Sequence, residues 1–263
     1  MGSINEKGNA LRFVLIHGTS HGAWCFERLT AALAARGHVV HGVELPGHAQ
    51  RVAEPASAAG YRDAVMETIQ PGDVLVGHSM GAWVMTLAAD TLPDVRHLVY
   101  LAGPLPVDGV SMLDSLSIMA REPDGQAFTA GSEPIFDYHT MSPDGASLYF
   151  EPDSAKEAFY HDCDPHTASW AAARLTPQPL APLMETVRLS NFWDADIPRS
   201  FIQCDLDRMF PPRCAEVSAE RLGVRPLHIT SSHSPFLSRP QALAQLLERA
   251  VDTPAQRPPR PSL

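Results

Sequence analysis

Asp73-Val74-Leu75-Val76-Gly77-His78-Ser79-Met80-Gly81-Ala82-Trp83 is the stretch that decides how this chain is read. Its Val74-Leu75-Val76 is an apolar run closed by Gly77, as in a strand buried on both faces. From Gly81 to Asp90 the pattern is helical. A serine between the two sits on a tight strand-to-helix turn that lifts its hydroxyl above the sheet. The flanking glycines admit the strained backbone and the close approach of helix to strand. The helix N-terminus favours negative charge developing beside it. Gly-x-Ser-x-Gly alone recurs by chance. The strand before it and the helix after it make Ser79 a nucleophile rather than an ordinary N-cap serine.

Outward from this point, strand and helix alternate. Leu11–His17 is a strand. Ala23–Arg36 is a helix, with Phe26, Leu29 and Leu33 on one face and Gly37 as its stop. His38–Leu45 is a strand closed by Pro46-Gly47, Tyr61–Ile69 a helix and His97–Leu101 a strand. After a break the pattern resumes with a strand at Arg199–Cys204, a helix at Cys214–Leu222, a strand at Pro226–Ile229 and a helix at Gln241–Val251. Short joins between such elements build βαβ units. The expected fold class is therefore α/β, with a mostly parallel central sheet flanked by helices. The break, Pro104–Asp196, holds helical pieces at Asp153–Tyr160 and Thr167–Leu175 but no sheet signal. About ninety residues are too many for a plain loop, so a helical cap is expected there. The division is then a core of 11–103 and 197–252, a cap of 104–196, and flexible tails at 1–10 and 253–263.

A hydroxyl is a poor nucleophile at neutral pH, so Ser79 needs a base, and the base an orienting acid. On this architecture the chain order is serine, acid, histidine. Cys204-Asp205-Leu206-Asp207 follows a strand, where a carboxylate projects at the sheet's C-terminal edge. Asp205 and Asp207 are both candidates, with Asp207 favoured. His233, in Ser231-Ser232-His233-Ser234-Pro235, lies after a short strand and before the last helix, where a loop brings it over Ser79. Oxyanion donors are backbone N–H groups. Met80 supplies one, and the loop His17-Gly18-Thr19-Ser20 supplies the other, with Gly18 letting backbone approach the substrate oxygen.

Phe13-Val14-Leu15-Ile16-His17-Gly18-Thr19-Ser20-His21-Gly22-Ala23-Trp24, the Ser79 turn, the Asp207 segment and His233 together resemble the α/β-hydrolase fold. The resemblance is strongest to the branch of plant methylesterases, hydroxynitrile lyases and bacterial esterases. It covers most of Leu11–Val251 and is weakest across the cap. It implies a Ser79–Asp207–His233 triad, an oxyanion hole of the Thr19 and Met80 N–H groups, and no cofactor or metal. It also implies a pocket between cap and sheet, lined by Gly18, His78 and Trp170. The lyases carry threonine after the first motif histidine, lysine after the catalytic histidine and glutamate before the nucleophile. Here those positions are Gly18, Ser234 and His78. The departures point away from cyanohydrin cleavage and toward hydrolysis of a carboxylic ester of a small, largely apolar substrate. The same triad could instead serve elimination, C–C cleavage or cyclisation of a natural-product intermediate, in secondary metabolism. A third alternative is a non-catalytic small-molecule receptor.

Bulk properties narrow the partners. A net charge of −10 over 263 residues argues against nucleic acid and anionic membranes. No apolar run reaches the roughly 18 residues that cross a bilayer. Residues 1–10 lack the apolar core of a secretory signal. Cys25, Cys163, Cys204 and Cys214 are too sparse for a disulfide framework. A cytoplasmic protein with reduced thiols is expected. Composition leaves the oligomeric state open. His161-Asp162-Cys163-Asp164-Pro165-His166 has metal-binding residue types but no recurring zinc spacing, and reads as a polar turn. His21, His38, His41 and His48 read as surface or satisfied loop histidines, and Trp83 as packing for the helix after Ser79.

Overall fold

The computed structural model describes residues 10–119 and 138–252, so the two expected tails lie outside the described residues except for Ala10. The chain opens with β1 (Arg12–Ile16), α1 (Glu27–Ala34), β2 (Val39–Val43), α2 (Ala58–Thr68), β3 (Asp73–His78), α3 (Met80–Ala89) and β4 (Val95–Leu101). It leaves the sheet for α4 (Met112–Met119), β5 (Thr140–Met141), β6 (Ser147–Tyr149), α5 (Pro152–Phe159), α6 (Pro165–Ala172), β7 (Gln178–Pro179) and α7 (Ala181–Met184). It returns with β8 (Arg199–Cys204), α8 (Pro212–Leu222), β9 (Leu227–Ile229), α9 (Pro235–Ser238) and α10 (Pro240–Asp252).

Six strands form one sheet in the order β2-β1-β3-β4-β8-β9, and every pairing is parallel. Period-two alternation divides its side chains between two faces. Val14 and Ile16 pack with Tyr61, Trp83 and Leu222, under α2, α3 and α8. Phe13 and Leu15 pack with Leu29, Leu33, Leu243 and Leu247, under α1 and α10. These side chains are fully buried, each contributing about 1.5–3 kcal/mol by leaving water. Burial on both faces explains why β1, β3 and β8 are legible as apolar runs. β2 is the sheet edge, and its Val39 and His41 are exposed.

Two expectations need correction. The helix over Ala23–Arg36 starts as a 3₁₀ turn, Ala23–Phe26, because Gly22 offers no side-chain cap to the first N–H groups. The segment expected to be a helical cap also contains a three-stranded antiparallel sheet, β5-β6-β7. Its strands are two or three residues long, too short to show a period. Only the turn at Ser142-Pro143-Asp144-Gly145 marks the hairpin, with Gly145 at φ 69°.

The strand order reverses between β1 and β3, since β2 lies on one side of β1 and β3 on the other. Sheets of this kind bind ligands at such a switch point, beyond the strands' C-terminal ends. The ends of β1 and β3 here are His17-Gly18 and His78-Ser79. Between them, α3 begins in backbone contact with β1. A Cβ added to Gly81 would fall inside the van der Waals shell of the Ile16 carbonyl oxygen and 2.7 Å from that of His17. Gly81→Ala is therefore expected to cost about 1–3 kcal/mol or more, read as a lower urea midpoint at unchanged slope. A midpoint equal to wild type would show that β1 and α3 do not approach this closely.

Candidate active site

Ser79 has φ 52° and ψ −127°, a conformation that costs a non-glycine residue about 1–3 kcal/mol and persists only where its surroundings impose it. The surroundings are explicit. Ser79 N–H donates to Leu101 O at 3.0 Å, and Ser79 O accepts from Ala82 N at 2.9 Å. All ten residues of α3 are buried. His78 and Met80 are fully buried too, whereas Ser79 is half-exposed. The turn delivers one hydroxyl to the surface of an otherwise closed layer.

The loop after β9 carries His233 into the interior, at 1% exposure. His233 Nδ1–H donates to Asp207 Oδ2 at 2.7 Å, which leaves the Nε2 lone pair available. Among the described residues Nε2 has no hydrogen-bond partner, so Ser79 and His233 share no hydrogen bond here. Such bonds commonly tighten only when substrate binds. The two residues are nevertheless neighbours. The His78 ring, next to Ser79 in the chain, lies 4.6 Å from that of His233, and its Nε2–H donates to His233 O at 2.9 Å. Asp207 is oriented by the Met209 and Phe210 N–H groups, each 2.8 Å from Oδ1. Asp205 turns outward and pairs with exposed His228 at 2.8 Å. Of the two candidate acids, the structure joins only Asp207 to His233.

Gly18 abuts Ser79: an added Cβ would lie 2.7 Å from Ser79 Cβ and 3.1 Å from His78 Nδ1. His17 holds the adjoining peptide. Its Nε2 accepts from Leu45 N at 3.2 Å, so the proton is on Nδ1, which donates to Gly18 O at 3.0 Å. The same carbonyl accepts from His21 N at 3.3 Å. Since the peptide is planar and trans, fixing this carbonyl fixes the direction of the Thr19 N–H. Met80 opens α3, and its N–H belongs to the first turn, where helical N–H groups lack an intrahelical acceptor.

Two of the three residues expected to line a pocket make defined contacts within the chain. His78 is wedged behind the turn, against His233 and Phe236. Trp170 packs edge-on to Trp24 at 5.4 Å, with the Arg174 guanidinium 4.3 Å over its ring. The polar turn at 161–166 is structural. Asp164 caps α6 by accepting from Thr167 N, and His161 Nε2–H donates to Leu206 O. Among the described residues no group of three or more His, Cys, Asp or Glu is placed to hold a metal ion. No helix among them is long and apolar enough to cross a membrane.

Sequence reasoning missed the contacts from the 104–196 segment. Phe159 O accepts from Ser232 Oγ at 2.9 Å, and its ring lies 5.7 Å from that of His233. Tyr160 reaches His21, which is not a surface histidine but 1% exposed. Burial pushes His21 down to about 3 and His48 down to about 4, and holds His78 well below the usual histidine range, with neighbouring rings adding to each shift. All three are neutral at neutral pH.

A serine on a strained turn after the third strand of a parallel sheet, followed in the chain by an acid and then a histidine, defines the α/β-hydrolase class. The chain belongs to the alpha/beta hydrolase family, whose sequence pattern matches residues 13–246. Methylesterase 18 of Arabidopsis thaliana is 27% identical over 260 residues, spanning 92% of this chain and 97% of its own. Norfluorocurarine synthase 1 of a Strychnos species is 26% identical over 255 residues, spanning 91% and 95%. Among solved structures, a pyrethroid hydrolase from Sphingobium faniae JZ-2 superposes with a TM-score of 0.77 at 22% identity, over 94% of this chain and 99% of that one.

The buried neutral histidines weaken the fold in acid. His97, remote from the site and 2.8 Å from Ser200 Oγ, is also pushed down by burial to about 4. Above pH ~6.5 these groups are neutral in both states. Between ~6.5 and about 3–4 the unfolded chain takes up protons that the folded chain refuses, so stability falls as pH falls. Each group contributes up to about 1.4 kcal/mol per pH unit in that window. Urea midpoints should drop steadily from pH 7 to pH 5, and His97→Asn should flatten the slope. A pH-independent midpoint would contradict the neutral-histidine assignment.

Proposed function

We propose that this protein hydrolyses a carboxylic ester of a small, largely apolar molecule through an acyl-enzyme on Ser79. The observation that carries the reading is the buried His233–Asp207 pair, oriented through Nδ1 with its Nε2 free, beside a serine held in a strained turn. In this reading His233 Nε2 takes the Ser79 proton as the oxygen attacks the carbonyl carbon. The Thr19 and Met80 N–H groups hold the oxyanion, and the alcohol leaves with the proton from His233. Water, deprotonated by the same nitrogen, then releases the acid and restores Ser79. Asp207 stabilises the imidazolium and fixes its tautomer. The segment 104–196 serves as the cap over the substrate. Similarity to a relative named as a methylesterase supports ester hydrolysis. Similarity to one named as a synthase supports a second use of the same base and oxyanion donors on a natural-product intermediate.

Ser79→Ala is expected to reduce p-nitrophenyl butyrate turnover at least about 10⁴-fold while leaving the thermal midpoint near wild type. Asp207→Asn should lower kcat about 10³–10⁴-fold, because the histidine then holds the wrong tautomer, and Asp205→Asn less than about twofold. Mass spectrometry of the quenched enzyme should find the acyl group on Ser79. Turnover with no acyl-enzyme would favour the second use, and full activity in Ser79→Ala would reject the mechanism.

A further inference from the structure

Tyr160 and His21 make a chain of hydrogen bonds whose direction is fixed. Tyr160 Oη lies 2.7 Å from His21 Nε2, and His21 Nδ1 lies 2.7 Å from Thr19 O. A carbonyl oxygen only accepts, so Nδ1 carries the proton and Nε2 the lone pair. The tyrosine hydroxyl must then be the donor. Burial pushes the Tyr160 hydroxyl well above the usual tyrosine range and His21 down to about 3, so both partners keep these protonation states across the working pH range. Tyr160 and His21 are 0% and 1% exposed.

The endpoint is the residue expected to supply an oxyanion donor. His21 holds Thr19 on both sides: its backbone N–H donates to Gly18 O at 3.3 Å, and its ring donates to Thr19 O at 2.7 Å. The two peptide planes flanking Thr19 are thereby tied to one residue, one through its backbone and one through its ring. Ser20, between Thr19 and His21, has φ 63°, so this turn is not one the chain adopts without restraint. The restraint on the ring comes from Tyr160, which follows α5 in the segment between β4 and β8, far from Thr19 in sequence. Phe159 and Trp24 flank the ring, at 5.1 and 5.6 Å between centroids.

We propose that Tyr160 is a positioning residue for the reaction, aligning the Thr19 N–H through His21, so that the segment above the sheet completes the oxyanion hole. The inference rests on the ester-hydrolase reading. It assigns part of the catalytic geometry to a residue that touches neither substrate nor reacting atoms. Oxyanion donors act only when they meet the developing charge at hydrogen-bond distance, so a loosened Thr19 costs rate and not ground-state binding.

The test removes one atom. Tyr160→Phe deletes the donor and keeps the ring. With p-nitrophenyl butyrate, kcat should fall about 3- to 10-fold, the range expected for one lost hydrogen bond. KM should stay within about twofold, and the acid limb of the pH–rate profile should not move, because the His233–Asp207 pair is untouched. A paired substitution at position 21 separates alignment from packing. In His21→Asn the amide nitrogen stands near the place of Nδ1 and still reaches Thr19 O, whereas in His21→Gln the donor moves to the place of Nε2. The Asn variant should retain at least about 10-fold more kcat than the Gln variant. Unchanged kcat in Tyr160→Phe, a loss confined to KM, or equal kcat in the Asn and Gln variants overturns the proposal. If wild type itself shows no Ser79-dependent turnover, the ester-hydrolase reading fails instead, and the two failures are told apart by that control.

Discussion

The site depends on one close approach of backbone to backbone, where the start of α3 meets the end of β1. The Ile16 and His17 carbonyls lie where a Cβ on Gly81 would stand, and the start of α3 fills the equivalent space at Gly77. Gly18 closes the same junction from the other side, against Ser79 and His78. With no side chain at any of these points, two loops and a helix N-terminus meet in a volume that larger residues would fill. The strained φ of Ser79 follows from that crowding. The turn stays strained because relaxing it would withdraw α3, with its ten buried residues, from the core.

Around this junction the electrostatics are arranged by exclusion. His17, His21, His48, His78 and His233 are all buried at or near the sheet's C-terminal edge, and only His233 is hydrogen-bonded to a buried carboxylate. His78 lies 4.6 Å from His233, and a positive charge there would oppose an imidazolium on His233 by about 3–4 kcal/mol at an effective dielectric of 20. Burial removes that opposition by keeping His78 neutral, and its single proton is committed to the His233 carbonyl. His21, His48 and His78 thus stay neutral and hydrogen-bonded around the imidazole paired with Asp207.

The sheet was legible chiefly through its inner strands, which are buried on both faces; β1 and β3 carry the apolar runs Phe13–Ile16 and Val74–Val76, whereas the edge strand β2 is largely exposed. Ser79, Asp207 and His233 could be singled out as candidates because each follows a strand, in the chain order serine, acid, histidine. The small sheet β5-β6-β7 was not, since two-residue strands carry no period. Nor were His21 and Tyr160. His21 sits in a loop rich in small residues, where nothing in the local sequence distinguishes an exposed imidazole from a buried one. Tyr160 contributes through a contact that spans more than a hundred residues of chain, and one sequence does not reveal such a contact. The contacts of Trp170 with Trp24 and Arg174 were likewise beyond the reach of the sequence.

A second attachment of that segment lies farther along the chain. Thr176 N–H donates to Ser20 O at 2.9 Å, and the buried Gln178 carboxamide meets the His48 ring at 2.9 Å and the Tyr61 hydroxyl at 3.2 Å. With Tyr160, this clasps the loop after β1 from two separate stretches of one connection. The part of the chain free to diverge as substrates change is thereby confined. Residues ahead of Phe159 are not independent of these attachments, since Ser147 and Leu148 pair with Pro179 and Gln178 in the small sheet and Phe150 packs on Phe159 at 4.6 Å. Recombining this connection among relatives should therefore carry β6, Phe159, Tyr160 and Gln178 as one unit, because each holds the next in place.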